Sequence, residues 1–503
     1  MTPDVVFEGP EIQWFNLSPI LALVGGAMLL LVAGAMTPRW PRGLYAIVTA
    51  LAAGAAGGLA MFLWDDITDT GTSTLVGGAL AFDTFTQFVT ITICAATVLV
   101  ALLTSDELHL SGRDGPEIYA MFLLAATGGV VMGAANDLIL LFLGLETLSL
   151  ALYVLAASDR DRNASQESGI KYFVLGSFAS ALFLYGIALV YGGTQSTNIS
   201  EIVRSFQDAV TIDGQHPLVL AGLALMLVGL GFKVAAVPFH SWAPDVYHGA
   251  PTNVTAFMAS VGKAAAFAAL LRVLVVALPF HRDDWRPVIW VLAVLTLVIG
   301  SALAVVQTDV KRMLAYSSIS HAGFILVGVE AAGHQAGGLN PGDGVSSVMT
   351  YLLVYAVLTV GSFAVVALVG WQNGGDTSLD AFRGLARTHP SIALGLTVLL
   401  LAQAGVPFTS GFVAKWGVIQ AAVEEQSYAI GIVAMLAAVI AAYLYLRIMV
   451  SMWLQESEVA AERSGVPFAT GLAVLAAVVF TVVVGVWPDW LLGATETATQ
   501  FAR

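Results

Sequence analysis

Charge is what this 503-residue sequence has least of: Asp, Glu, Lys and Arg make up 11% of it, where a soluble globular domain carries about 25%. So few charges could not cover the surface of a soluble fold this long, which argues against a soluble enzyme and against a disordered chain. Cysteine is scarcer still. Cys94 stands alone, so the chain can form no internal disulfide and cannot by itself ligate an iron-sulfur cluster or a structural zinc through thiolates. Neither a P-loop nor a Gly-x-Gly-x-x-Gly turn between strand and helix patterns occurs, and no hydrolase motif or metal-ligand cluster is visible. Bases are outnumbered 20 to 34, for a net charge of −14, which argues against nucleic acid as a partner.

What the sequence does have is apolar residues, 58% of the total, gathered in runs long enough for a bilayer core of about 30 Å. Fourteen runs are expected to span, beginning with Leu17 to Met36, Leu44 to Trp64, Leu80 to Leu103, Glu117 to Met132 and Leu138 to Ala156. Next come Gly169 to Tyr191, Leu218 to Val237, Val254 to Leu278, Val288 to Val306 and Met313 to Val329. The last four are Val348 to Trp371, Ile392 to Ala422, Ile430 to Trp453 and Phe468 to Trp487. The fold class is therefore an all-α polytopic membrane protein. Asp4, Glu8 and Glu11, with no base near them, oppose the positive start of a cleavable secretory signal, so the first run is expected to remain as a span.

Basic residues orient the spans, because Lys and Arg collect in cytoplasmic loops. With the N-terminus outside, the inward loops hold Arg39, Arg42, Arg113, Arg160, Arg162, Lys171, Lys311, Arg312, Arg383, Arg387, Arg447 and Arg463. The outward segments hold only Arg204, Arg282, Arg286 and Arg503. Both termini are thus expected on the outer face. Arg272 stands near enough to a helix end to snorkel to the interface, and Asp137 and Glu330 are read the same way.

Two segments resemble each other at an offset of 169 residues: Ala236-Val237-Pro238-Phe239-His240-Ser241 and Gly405-Val406-Pro407-Phe408-Thr409-Ser410. That offset carries the fourth span onto the ninth, so a five-helix unit repeats, and an odd number of crossings inverts the second copy. Residues 1–115 form an N-terminal three-helix segment, 116–280 the first repeat, 281–456 its inverted copy and 457–503 a final helix. Pro238 and the group Gly405, Pro407 and Gly411 are expected to break spans seven and twelve, and broken backbone at membrane depth is tolerated only where it lines a cavity or is buried in protein.

Four charges lie inside the spans: Glu146, Lys233, Lys263 and Lys415. Each costs at least about 2.5 to 3.5 kcal/mol at bilayer depth, so each is a functional candidate. A glutamate can offset one lysine as a structural ion pair, which leaves two lysines without a partner in the spans. Desolvation penalises the ammonium form, so a buried lysine can exchange its proton near neutrality. Such a row suits a proton relay, which His240, beside the Pro238 break, and His321, among serines of the tenth span, could extend. His248 is read as an ordinary polar contact.

The runs Leu152-Tyr153-Val154-Leu155, Gly169-Ile170-Lys171-Tyr172-Phe173-Val174-Leu175-Gly176-Ser177-Phe178-Ala179-Ser180-Ala181 and Leu184-Tyr185-Gly186-Ile187-Ala188, with the loop Val237 to Thr252, resemble the antiporter-like membrane subunits of bacterial NADH-quinone oxidoreductase, respiratory complex I. The lysine in Gly411-Phe412-Val413-Ala414-Lys415-Trp416 and the segment Gly384-Leu385-Ala386-Arg387 are similar to the N-type subunit, and the sequence ends soon after its fourteenth apolar run, without the long extra helix of the largest type. The resemblance implies a proton-translocating subunit of the bacterial inner membrane, with Glu146 and Lys233 coupled, Lys263 as central relay and Lys415 as the site of the second half. It implies neighbouring membrane-arm subunits as partners. NADH, FMN, iron-sulfur clusters and quinone would be held by other subunits, with no cofactor or metal in this chain. The rival readings are a large subunit of a multi-subunit sodium/proton antiporter, which shares the repeat, and a non-conducting scaffold.

Overall fold

The computed structural model describes residues 12–37, 40–41, 43–110, 112, 115–208, 216–336, 342–456 and 465–502. The acidic start with Asp4, Glu8 and Glu11, and the bases Arg39, Arg42, Arg113, Arg463 and Arg503, lie outside the described residues. In lipid every backbone polar group must find its partner within the protein, which leaves the helix as the form for each apolar run. The first half contains α1 (Ser18–Met36), α2 (Leu44–Thr70), a hairpin of β1 (Ser73–Leu75) and β2 (Leu80–Phe82), α3 (Thr84–Leu110), α4 (Pro116–Ala134), α5 (Leu138–Ala156), α6 (Asn163–Thr194) and α7 (Ile199–Asp208). It continues with α8 (His216–Val234), α9 (Trp242–Gly249), α10 (Thr252–Phe257) and α11 (Lys263–Leu271). The second half contains α12 (Arg282–Val305), α13 (Val310–Gln335), α14 (Gly342–Gln372), the single turn α15 (Leu385–Thr388), α16 (Pro390–Ala404), α17 (Ser410–Glu424), α18 (Tyr428–Leu454), α19 (Phe468–Val486) and α20 (Asp489–Thr497). The hairpin is antiparallel with Ser73 opposite Phe82.

Thirteen helices among the described residues are long and apolar enough to span. The expected run from Ile392 to Ala422 is instead two shorter helices, α16 and α17, parted at residues 405–409. Gly405 is left-handed there (φ 88°) and ends α16, and a side chain on Gly411 would lie 1.7 Å from the Ala402 carbonyl oxygen. The other break falls between α8 and α9, around Ala235 (φ 58°) and Pro238. The Trp242 indole donates to the Phe232 carbonyl across it at 2.9 Å, and the Val237 N–H donates to Thr296 Oγ1 at 2.9 Å. The freed backbone of this first break is thus tied to protein rather than left to lipid.

Three segments form the centre of the bundle: Thr252–Ala277, α13 and α14 are each 94% buried over their spanning windows, against 22% for α1. Loops gather at two ends. One joins Asp106 to Thr470, Lys171 and Arg312 to Asp245, and His248 to Asp309. The other joins Thr84 to Thr497, Asp137 to Thr197, and Arg282 to the His334 carbonyl.

Two expectations are corrected. Arg272 does not snorkel: it is 1% exposed, its NH2 meets Asp83 Oδ1 at 2.8 Å, and its Nε donates to the Gly133 carbonyl at 2.8 Å. A cation so enclosed is stabilised by its partner and not by the interface. Glu330 is likewise enclosed by protein, at 3% exposure. The Gly411 contact gives a test. Gly411→Ala is expected to lower the amount of folded protein in membranes, while Gly54→Ala, with nothing within 4 Å of the new methyl, leaves it unchanged; immunoblotting of solubilised membranes reads both.

Candidate functional site

The buried charges fall into three groups. In the first, Lys233, at the last turn of α8, donates to Ser149 Oγ at 2.6 Å, and Ser149 donates in turn to the Leu145 carbonyl of its own helix. The ammonium also lies 5.3 Å from the ring centres of Tyr153 and Tyr172 and 5.8 Å from Phe232, which gives it partial cation–π compensation. Glu146, one turn before Ser149 on α5, is near enough to act electrostatically on Lys233. Its Oε1 is buried without a hydrogen-bond partner among the described residues. The expected Glu146 and Lys233 are thus brought near each other, with Ser149 taking the direct hydrogen bond.

Lys263 forms the second group. It is 1% exposed and follows a π-helical turn, Met258–Gly262, a local widening that recurs at functional positions. Its ammonium donates to the Ser318 carbonyl and lies 5.8 Å from the Tyr355 ring. Tyr355 donates its hydroxyl to Ser318 Oγ at 2.7 Å.

One turn further along α13, His321 meets Tyr351 through Nδ1 at 2.7 Å and Tyr445 through Nε2 at 3.1 Å. Tyr445 is in turn 2.6 Å from Ser317 Oγ. Lys415 forms the third group, donating to the Ala404 carbonyl at 3.1 Å with Phe324 at 4.7 Å. Ala404 is the last residue of α16, and the break leaves its final carbonyls and the negative end of the half-helix dipole turned to the ammonium. Ser318, His321 and Phe324 follow at three-residue steps on one face of α13, so this helix links the Lys263 and Lys415 groups. His240 is half-buried in the first break and joins none of these groups.

Sequence reasoning missed the hydroxyl partners Ser149, Ser318, Tyr351, Tyr355 and Tyr445, although helical spacing from His321 pointed to Ser317 and Ser318. It also counted Lys311 as a loop base. Lys311 is buried in the first turn of α13 and donates to the Ala250 carbonyl at 2.5 Å. Beside it a cavity of about 450 Å³ is lined by Glu107, Arg162, His248, Asp309, Lys311 and Thr377. Asp309 caps α13 through the Arg312 N–H at 2.9 Å and accepts from Thr377 at 2.6 Å; His248 lies 3.1 Å away, the polar contact expected for it.

These features define a class: a polytopic α-helical membrane protein whose broken helices surround buried lysines. A family described as NADH:quinone oxidoreductase/Mrp antiporter, TM, matches residues 135–441. NADH-quinone oxidoreductase subunit N 3 of Streptomyces griseus is 40% identical, with 100% of this chain and 96% of the relative covered. Subunit N of Rhodococcus opacus is 39% identical, over 100% and 99%. Among solved structures, a chain of respiratory complex I from Thermus thermophilus superimposes with a TM-score of 0.79 at 32% identity, covering 95% of this chain and 99% of that one. A chain of the Mrp complex from Dietzia gives a TM-score of 0.82 at 22% identity, with 96% of each covered, a likeness of fold. The chain belongs to the NADH:quinone oxidoreductase/Mrp antiporter transmembrane family.

Burial pushes the Asp309 carboxyl up, but hydrogen bonds from His248, Thr377 and the Arg312 N–H outweigh it and hold the group below the usual carboxylate range. A depressed folded value contributes stability above the unfolded value of about 3.9, lost as pH falls through the folded one. The Tm difference between the unaltered protein and Asp309→Asn in detergent is therefore expected to be full at pH 7 and to shrink below pH about 4; a difference independent of pH would contradict this.

Proposed function

We propose that this chain is the N-type, proton-translocating membrane subunit of a bacterial NADH:quinone oxidoreductase. The observation that carries the reading is the row of lysines, each with a neutral oxygen acceptor and two of them bridged by α13, in a chain whose full-length relatives bear the subunit N name. Neutral acceptors matter because they compensate an ammonium without removing its proton.

In this reading Glu146 and Lys233 form a charge switch. An opposite charge nearby favours the ammonium form of Lys233. Moving Glu146 away would drive the Lys233 proton toward Lys263, then past His321 to Lys415. His240 would serve the approach to Lys233 from the break. The energy is supplied by other subunits, to which we assign NADH, FMN, the iron-sulfur clusters and quinone; the partners are those membrane-arm subunits and the lipid of the plasma membrane.

We also read residues 116–280 and 281–456 as an inverted repeat, flanked by 1–115 and 457–503, with fourteen crossings and both termini outside. Two paired motifs support it. The Leu138 N–H donates to the Thr197 carbonyl and Thr197 Oγ1 to Asp137; likewise the Val310 N–H donates to the Thr377 carbonyl and Thr377 Oγ1 to Asp309. Parity supports the count: Thr84 and Thr497 share one end at 2.7 Å, as expected if α16 and α17 together make a single crossing.

The Mrp likeness extends to fold and does not favour the antiporter reading over this one. Vesicles carrying assembled complex with Glu146→Ala or Lys263→Ala are expected to lose NADH-driven acidification while NADH oxidation by an artificial acceptor persists. Normal acidification in both variants would sink the reading.

A further inference from the structure

The far end of α13 carries a charged cluster that the lysine row does not use. Glu330 is 3% exposed, and its Oε1 faces three polar groups: His334 Nε2 at 3.3 Å, Ser427 Oγ at 3.2 Å and Arg286 Nε at 3.7 Å. Its Oε2 is buried with no hydrogen-bond partner among the described residues. A buried carboxyl oxygen left without a partner is costly, and a transient polar partner at this oxygen would offset that cost. His334 turns its other nitrogen, Nδ1, to Glu425 Oε2 at 3.6 Å and to Arg286 NH1 at 3.5 Å. Arg282 donates to the His334 carbonyl at 3.3 Å, and Gln335 donates to the remaining oxygen of Glu425. Asp343, Glu424 and Glu496 lie close by and make the surround acidic. The side chain of His334 is 20% exposed and that of Glu425 23%, so the cluster runs from a buried carboxyl to one that meets solvent.

Its position fits an end point. Glu330 stands 19 residues after Lys311 on one helix, about 28 Å at 1.5 Å per residue, so the two lie near opposite faces of a bilayer core of about 30 Å. Phe324, which touches the Lys415 ammonium, is six residues before Glu330, about 9 Å along the axis. In that interval Gly328 of α13 lies against Val348, Val418 and Ser347, and Gly417 of α17 against Ser347, so Ser347 is the hydroxyl beside both glycines and the transfer needs water next to it.

We propose that Glu330, with His334 and Glu425, is the group through which protons from Lys415 leave the protein, at the membrane face opposite Lys311. The Lys415 ammonium gives up its proton through water to the Glu330 carboxylate, leaving a neutral amine and a neutral acid. The acid passes it to an unprotonated His334 Nε2 as the ring's Nδ1 proton leaves toward Glu425 and bulk water, and return of the ring proton from Nε2 to Nδ1 through water resets the histidine. Arg286 stabilises the carboxylate that remains and so resets it as an acceptor. Glu425, Asp343 and Glu424 supply a negative mouth that draws the proton outward. The inference rests on the proton-translocating reading above.

The test uses the assembled complex in vesicles, with Glu330→Gln, Glu330→Asp, His334→Gln and Lys415→Ala measured together. Glu330→Gln and His334→Gln are expected to lose NADH-driven proton release while electron transfer to an artificial acceptor persists, with Glu330→Asp keeping it. Should Glu330→Gln fail to assemble, His334→Gln decides, since its side chain lies at the mouth and reaches solvent. Normal release in His334→Gln, or in an assembled Glu330→Gln, overturns the release site if Lys415→Ala has lost pumping. If Lys415→Ala also pumps normally, the translocation reading itself has failed.

Discussion

Everything in this structure turns on holding an ammonium group inside lipid without neutralising it for good. A bare cation at that depth costs several kcal/mol, and a permanent carboxylate partner would trap the proton. The chain uses a middle course. Lys233 rests on a serine hydroxyl among aromatic rings, Lys263 on a backbone carbonyl, and Lys415 on the carbonyl end of a half-helix. Arg272 is the contrast: ion-paired to Asp83 and packed over Phe85 at 4.8 Å, it is a fixed charge and suits a structural tie.

The broken helices follow from the same requirement. An unbroken helix satisfies its own carbonyls and has none to offer, whereas the interruption at Gly405 frees the last turn of α16 for Lys415. Gly405 is left-handed (φ 88°), and a Cβ there would also come within 2.9 Å of the lysine's methylene chain, so glycine suits both the break and the lysine. Helix α13 carries Ser318, His321 and Phe324 along one face at the centre of the bundle, the placement that the proposed relay needs.

Much of this was legible in the sequence. Low charge and long apolar runs identified the solvent, the two Pro-Phe segments marked both breaks, and the three lysines stood out because they lie well inside their apolar runs. Other features were hidden by the way depth is inferred from distance to a helix end. Arg272, Lys311 and Glu330 all stand near termini, and all are enclosed because neighbouring loops and helices cover those termini, which a linear sequence does not display. The acceptors were hidden for a different reason. Serines and tyrosines are common in spans, and only the fold turns Ser149 or Tyr355 toward a particular lysine.

We propose that the buried groups form one connected path. A high-resolution map of the assembled complex, with ordered water resolved between Glu146, Lys233, Lys263, His321 and Lys415, tests it most directly. Water bridging Lys233 to Lys263, and continuing along α13 to Lys415, is the predicted result. Lysines that stand dry and separate, with packed side chains filling the intervals between them, would contradict it.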